Sequence, residues 1–120
     1  MKVYVVDDSP AMRMMVIRTI KSVFRGHDFE QGTDGADALE YLRKNEPDVV
    51  LADWNMPGMT GIEVLEKLNE EGVAPRVFGF VTTESSEPMR ARASAAGARF
   101  LIAKPFTEDA FAEALKPFLK

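Results

Sequence analysis

The residues able to do chemistry in this chain are acids, amides, hydroxyls and one lysine, and they stand in short groups directly after apolar runs. Asp7-Asp8 follow Val3–Val6, and Asp53-Trp54-Asn55 follow Asp48–Ala52. Thr82-Thr83-Glu84 follow Arg76–Val81, and Lys104-Pro105 follow Arg99–Ala103. Carboxylates brought together raise one another's pKa unless a cation joins them. Oxygen ligands with no His or Cys among them favour a hard cation, most naturally Mg²⁺. A metal held by carboxylates beside a lysine and a threonine is suited to stabilising a phosphoryl group in transfer. The nucleophile can then be a carboxylate, forming an acyl phosphate. Each residue alone has a plainer explanation. Asp8 could simply cap the next helix, Asn55 before Met56-Pro57-Gly58 could form a turn, and Thr82 and Lys104 are common strand and surface residues. The coincidence at the ends of four strands is what carries the chemical reading.

These groups meet only if the strands run parallel. The runs are short and apolar nearly throughout, as buried parallel strands are; a weaker candidate, Asp28–Gln31, lies between the first two. Helical spacing fills the gaps. Met12, Met15, Val16, Ile20, Val23 and Phe24 form a stripe begun by Ser9 as N-cap and Pro10 at the first helical position. Asp34 opens a second helix carrying Ala38, Leu39 and Leu42, and closed before Pro47. Ile62, Leu65 and Leu68 mark a third, stopped near Gly72. A fourth runs from Ser86-Glu87-Pro88 to Gly97, and Thr107 caps a fifth with Phe111, Ala114, Leu115 and Phe118 on its face. Pro117 is expected to distort only the last turn of that helix. The β-α alternation predicts an α/β fold, a five-stranded parallel sheet with helices on both faces. Right-handed crossovers narrow it to a doubly wound, flavodoxin-like (βα)5 sheet with expected order 2-1-3-4-5, whose ligands bind outside the carboxyl ends of the strands.

Composition bounds the function. The chain has 120 residues, 46% of them apolar, enough to bury a core as one domain over residues 1–120. With no cysteine, disulfides and thiolate chemistry are excluded. The opening apolar run is too short for a signal peptide, and nothing approaches a membrane span, so the expectation is a soluble cytoplasmic protein with no membrane insertion. Net charge is −4 with no basic stripe, which argues against direct nucleic-acid binding and for protein partners and a small anionic ligand.

In these residues the chain resembles the receiver domains of two-component response regulators. Asp7-Asp8, Asp53 with Asn55-Met56-Pro57-Gly58 and Gly61, Thr82 and Lys104-Pro105-Phe106 fall in the family's order and spacing across essentially the whole chain. The segment Asp53-Trp54-Asn55-Met56-Pro57 is most similar to stand-alone chemotaxis receivers, and the strand order 2-1-3-4-5 is the family's own. The resemblance implies that Asp53 is the phosphoacceptor. It implies that Asp8 and Asp53 bind Mg²⁺ by side chain, Asn55 by its backbone carbonyl and Asp7 largely through water. Thr82 would hydrogen-bond a phosphoryl oxygen, and Lys104 would give it a charge-assisted contact, with the Lys104-Pro105 bond cis. The phosphoryl group would come from a histidine kinase, a histidine phosphotransfer protein or a small phosphodonor.

Phosphorylation would add about −1.5 to −2 charge units at Asp53 and draw Thr82 and the following loop toward it. The face of helix four, strand five and helix five would then change its affinity for a downstream protein. Met89, Arg90, Leu101 and Phe106 are candidates for that face, with Phe106 read more as core. Asn55 and Glu84 would tune hydrolysis. Two positions depart from the family pattern. Leu101 stands where an aromatic is usual, with Phe100 one residue off and facing the other way. Thr83 stands where Ala or Gly is usual, its bulk narrowing access to the acyl phosphate. Trp54 is expected to be part-exposed, Met14 to face outward, and His27 to lie on the surface away from the site. The chain reads as a signalling switch rather than a turnover enzyme, because a phosphohydrolase would need an acid-base carboxylate where Asn55 stands. A degenerate receiver acting as a constitutive binding module is the alternative. The ending at Lys120, with no linker or DNA-binding segment, fits either a stand-alone receiver, used in chemotaxis or a phosphorelay, or a fragment of a larger regulator. Monomer and phosphorylation-dependent dimer both stay open.

Overall fold

A computed structural model describes residues 1–83 and 85–120. Its strands are β1 (Lys2–Val6), β2 (Asp28–Gly32), β3 (Val49–Ala52), β4 (Phe78–Thr82) and β5 (Leu101–Ala103), all parallel in the order β2-β1-β3-β4-β5. The helices α1 (Pro10–Val23), α2 (Gly35–Lys44), α3 (Gly61–Glu70), α4 (Glu87–Ala95) and α5 (Glu108–Leu115) alternate with them. The three inner strands are buried almost throughout, whereas the β2 edge strand shows a mostly exposed pattern. That exposure explains why β2 reads so weakly as a strand: an edge position does not demand apolar residues.

The pleat sorts side chains to two faces. Val3, Val5, Val49, Leu51, Val77, Val81 and Ile102 pack with α1 and α5 through Val16, Ile17, Ile20, Phe111 and Leu115. Tyr4, Val6, Val50, Ala52, Phe78 and Phe80 pack with α2, α3 and α4. Each helix begins at a side-chain cap: Ser9, Asp34, Thr60, Ser86 and Thr107 accept from the backbone N–H three residues on. Thr60 completes a capping box with Glu63.

Three details differ from the sequence expectation. On α1, Ile17 is buried and Met15 is 49% exposed, so the stripe turns by one residue. With Val16 and Ile20 aimed at the sheet, residues 15 and 17 lie on opposite shoulders, and periodicity alone does not say which shoulder docks. The fifth strand starts at Leu101 and the fourth at Phe78, although single ladder bonds run further, as in Arg99 N–H to Phe78 O at 2.9 Å. α5 stops at Leu115, two residues before Pro117, with Lys116 as its C-cap. As expected from the pleat, Phe100 and Leu101 go to opposite faces. The Phe100 ring lies across Gly79, where an added Cβ would come within 2.2 Å of it.

Candidate functional site

The sheet register brings the acids together. Val6 pairs with Ala52, so the chain leaves β1 and β3 side by side, and Asp53 N–H donates to Val6 O at 3.0 Å. On the other flank Asp7 N–H donates to Gly32 O at 3.2 Å. Asp7, Asp8 and Asp53 each offer a carboxylate oxygen within 4.8 Å of the others. Asp7 is buried, Asp53 half-buried and Asp8 exposed, so the cluster has a dry floor and an open mouth. Lys104 arrives from the far side of β4, where its N–H donates to Thr82 O at 2.8 Å. Its Nζ lies 3.1 Å from Asp7 Oδ2 and 3.4 Å from Asp53 Oδ2. The Lys104–Pro105 peptide is cis.

Charge explains what such a cluster can take up. Burial raises the Asp53 carboxyl above its ordinary range; Lys104 opposes this, the Asp7 charge adds to it, and the Asn55 backbone N–H opposes it further. Burial wins because one ammonium is shared between two acids. Three carboxylate oxygens, one of them open to solvent and none accompanied by a softer ligand, suit a hard divalent cation that keeps part of its water shell. A cation there would reverse the local charge balance.

The remaining sequence-predicted residues follow β3 and close β4. Asn55 is exposed between two buried neighbours, Trp54 and Met56, each 6% exposed. The expectation of a part-exposed Trp54 is therefore corrected: its ring packs on Phe80 with centroids 4.9 Å apart. The pinning of Trp54 and Met56 into the core leaves Asn55 turned outward. Trp54 O accepts from Gly61 N–H at 2.8 Å, and a Cβ on Gly61 would lie 2.2 Å from Asp53 O, so only glycine lets α3 start this close to the site. Thr82 is fully buried at the end of β4 and Thr83 is exposed beside it. Glu84 lies outside the described residues.

Arg13 was missed in the sequence. Its Nη1 donates to the Asp7 carbonyl at 2.6 Å and its Nε to Gln31 Oε1 at 3.0 Å. The available signal was a basic residue in the helix turn that follows the Asp7-Asp8 pair. His27 is only half-exposed, with Nε2 3.0 Å from the Lys120 carbonyl oxygen. Along β5 and α5, a shallow groove of about 460 Å³ is lined by Leu101, Ala103, Pro105, Phe106, Ala110 and Ala114 among others. Phe106 is half-buried against Phe111, centroids 4.7 Å apart, so it serves both core and groove. Met89 and Leu101 are half-buried and Arg90 exposed.

The model of the response regulator receiver domain matches residues 3–116. Chemotaxis protein CheY-3 of Vibrio cholerae serotype O1 is 35% identical over 96% of this chain and 88% of its own length. The chemotaxis protein CheY homolog of Campylobacter jejuni is 37% identical over 99% of this chain and 92% of its own. Among solved structures, the chemotaxis protein CheY4 of Vibrio cholerae superposes with a TM-score of 0.85 at 33% identity, covering 98% of each chain. Among the described residues, no helix is long and apolar enough to cross a membrane.

Proposed function

The chain belongs to the response regulator receiver domain family, and on that premise we propose that it is a cytoplasmic phospho-signalling switch, one receiver over residues 1–120, phosphorylated on Asp53. The observation that carries this reading is the Asp7–Asp8–Asp53 cluster with the Lys104 ammonium held against two of its members. The side chains of Asp8 and Asp53 and the backbone carbonyl of Asn55 would hold Mg²⁺, with Asp7 reaching it through water. Bound there, the ion would neutralise charge developing on the phosphoryl oxygens.

Asp53 Oδ attacks the phosphorus of the donor, and the bond from phosphorus to the donor's nitrogen or oxygen breaks, leaving an acyl phosphate and a free donor. Lys104 stands ready to shift from the Asp53 carboxylate to a phosphoryl oxygen, a charge-assisted contact at the same place. The Thr82 hydroxyl, at the end of β4, would turn to a second oxygen. Release of the group requires water, whose access the exposed Asn55 and Thr83 would control. The donor is a histidine kinase or histidine phosphotransfer protein. The output is a protein contact on the α4–β5–α5 face, of the chemotaxis or phosphorelay type, supported by the chemotaxis proteins to which the chain is similar.

Incubation with acetyl phosphate and Mg²⁺ followed by intact-mass measurement tests the reading. One added phosphoryl group is expected, absent from Asp53→Asn and from metal-free protein. If neither an adduct nor binding of the stable mimic beryllofluoride is seen, the phosphorylation reading fails.

A further inference from the structure

The loop that carries Asp7 and Asp8 leaves β1 with Asp7 N–H paired to Gly32 O at 3.2 Å, and beyond that ladder bond it is held from three sides. Asp7 Oδ1 accepts from Ser9 N–H at 2.9 Å, and Asp7 Oδ2 accepts from Lys104 Nζ at 3.1 Å. The third hold is on the backbone: Arg13 Nη1 donates to the Asp7 carbonyl oxygen at 2.6 Å. That carbonyl belongs to the same planar peptide as the Asp8 N–H, so fixing it fixes the plane from which Asp8 departs. Asp8 itself is exposed, without the burial that orders Asp7. Arg13 is in turn anchored at a second point, its Nε donating to Gln31 Oε1 at 3.0 Å at the carboxyl end of β2. Two bonds from one rigid guanidinium define its orientation in a way a single ammonium contact does not.

We propose that Arg13 is a positioning residue: by clamping the Asp7–Asp8 peptide to the end of β2, it holds the Asp8 carboxylate where a divalent cation is bound. This rests on the reading of the acidic cluster as a metal site. Charge and position make opposite forecasts. Arg13 is a permanent cation beside the cluster, so by charge alone its removal would tighten a divalent cation. As a positioning residue, its removal loosens Asp8 and weakens the cation, by about 10-fold or more if it behaves as other outer-shell supports do. The sign of the change therefore separates the two.

The experiment is a titration of the full chain with Mg²⁺ alone, followed by amide chemical shifts, for the native protein, Arg13→Gln, Arg13→Lys and Gln31→Ala. Circular dichroism at the titration temperature reports folding. Both Arg13 variants are expected to weaken Mg²⁺ about 10-fold, because lysine keeps the charge but not the two-point hold. Gln31→Ala, which removes only the second anchor, weakens it less, and it decides the matter if the Arg13 variants do not fold. Native affinity in Arg13→Lys, tighter binding in Arg13→Gln, or unchanged affinity in all folded variants overturns the proposal. If the native chain itself gives no saturable Mg²⁺ response, the metal-site reading fails instead.

Discussion

Burial and Lys104 pull the Asp53 carboxyl in opposite directions, and burial prevails, leaving it raised from its ordinary value of 3.8. A raised acid binds its proton more tightly folded than unfolded, so stability falls as pH climbs through the interval above 3.8. In chelator, Asp53→Asn is therefore expected to melt above the native protein at pH 7, with the difference closing as pH falls through the interval above 3.8 and gone below it. Parallel melting curves across the pH range check this, and a native protein that is the more stable at pH 7 would contradict it. Thr83 supplies a second test at the same scale. It is exposed directly after buried Thr82 at the end of β4, and on the proposed reading its bulk narrows the access of water to the acyl phosphate. Thr83→Ala is expected to shorten the acyl phosphate lifetime several-fold, since a positioned general-base or water step is worth about 10²–10⁴ in rate and steric access controls only part of it. Decay of the phosphorylated mass with time reads the outcome, and an unchanged lifetime removes Thr83 from the account.

Helices α3 and α4 are attached to the sheet in contrasting ways. α3 buries Gly61, Ile62, Val64, Leu65 and Leu68, and its first residue touches the Asp53 backbone. Gly61→Ala puts a Cβ against a carbonyl that cannot swing aside, so a loss of about 1–3 kcal/mol in denaturant unfolding is expected, together with slower phosphorylation. α4 buries only Ala93. Met89 and Ala96 add partly buried contacts to the same core, and further ties are polar: Arg92 forks onto Glu66 at 3.0 and 2.7 Å, and Asn69 Nδ2 donates to Ala96 O at 2.7 Å. Exposed pairs of this kind contribute roughly 0–1 kcal/mol, so α4 is the helix least firmly held. Its amides are expected to exchange with solvent faster than those of α1 and α3 in native-state hydrogen exchange. Protection of α4 equal to that of α3 would show that the polar ties hold it more firmly than burial suggests. A weakly docked helix following Thr82 and Thr83 is also the element that a new charge on Asp53 can shift at least expense.

Across the whole molecule, the parallel sheet gathers Asp7, Asp8, Asp53 and Lys104 at the carboxyl ends of its strands, so a ligand bound there is felt as global stability. A phosphoryl mimic that binds only the folded state stabilises it by about 2.7 kcal/mol at a hundredfold excess over Kd. For a domain of this size that is a rise in Tm on the order of 10 °C. Beryllofluoride with Mg²⁺ is expected to produce such a rise in the native protein and not in Asp53→Asn, measured by thermal melting. The groove along β5 and α5 is lined by Leu101 and Ala103 just before Lys104 and by Pro105 and Phe106 just after it, so the proposed output face and the site adjoin along one short stretch of chain.

What the amino-acid order determined by itself is whatever depends on neighbours in the chain. The apolar runs of β1, β3 and β4, the helix starts at Ser9, Asp34, Ser86 and Thr107, and the acids placed just beyond Val6 and Ala52 are local patterns, legible because period, capping and turn chemistry act over a few residues. Tertiary structure decided what depends on docking. It buried Trp54 against Phe80, chose Ile17 over Met15 on α1, and let β2 remain a strand despite polar residues because it stands at the edge. It also carried Arg13 to the Asp7 carbonyl and Lys104 to within 3.4 Å of Asp53. Those contacts join residues from different elements, and the packing of helix on sheet, which no local spacing encodes, sets their distances.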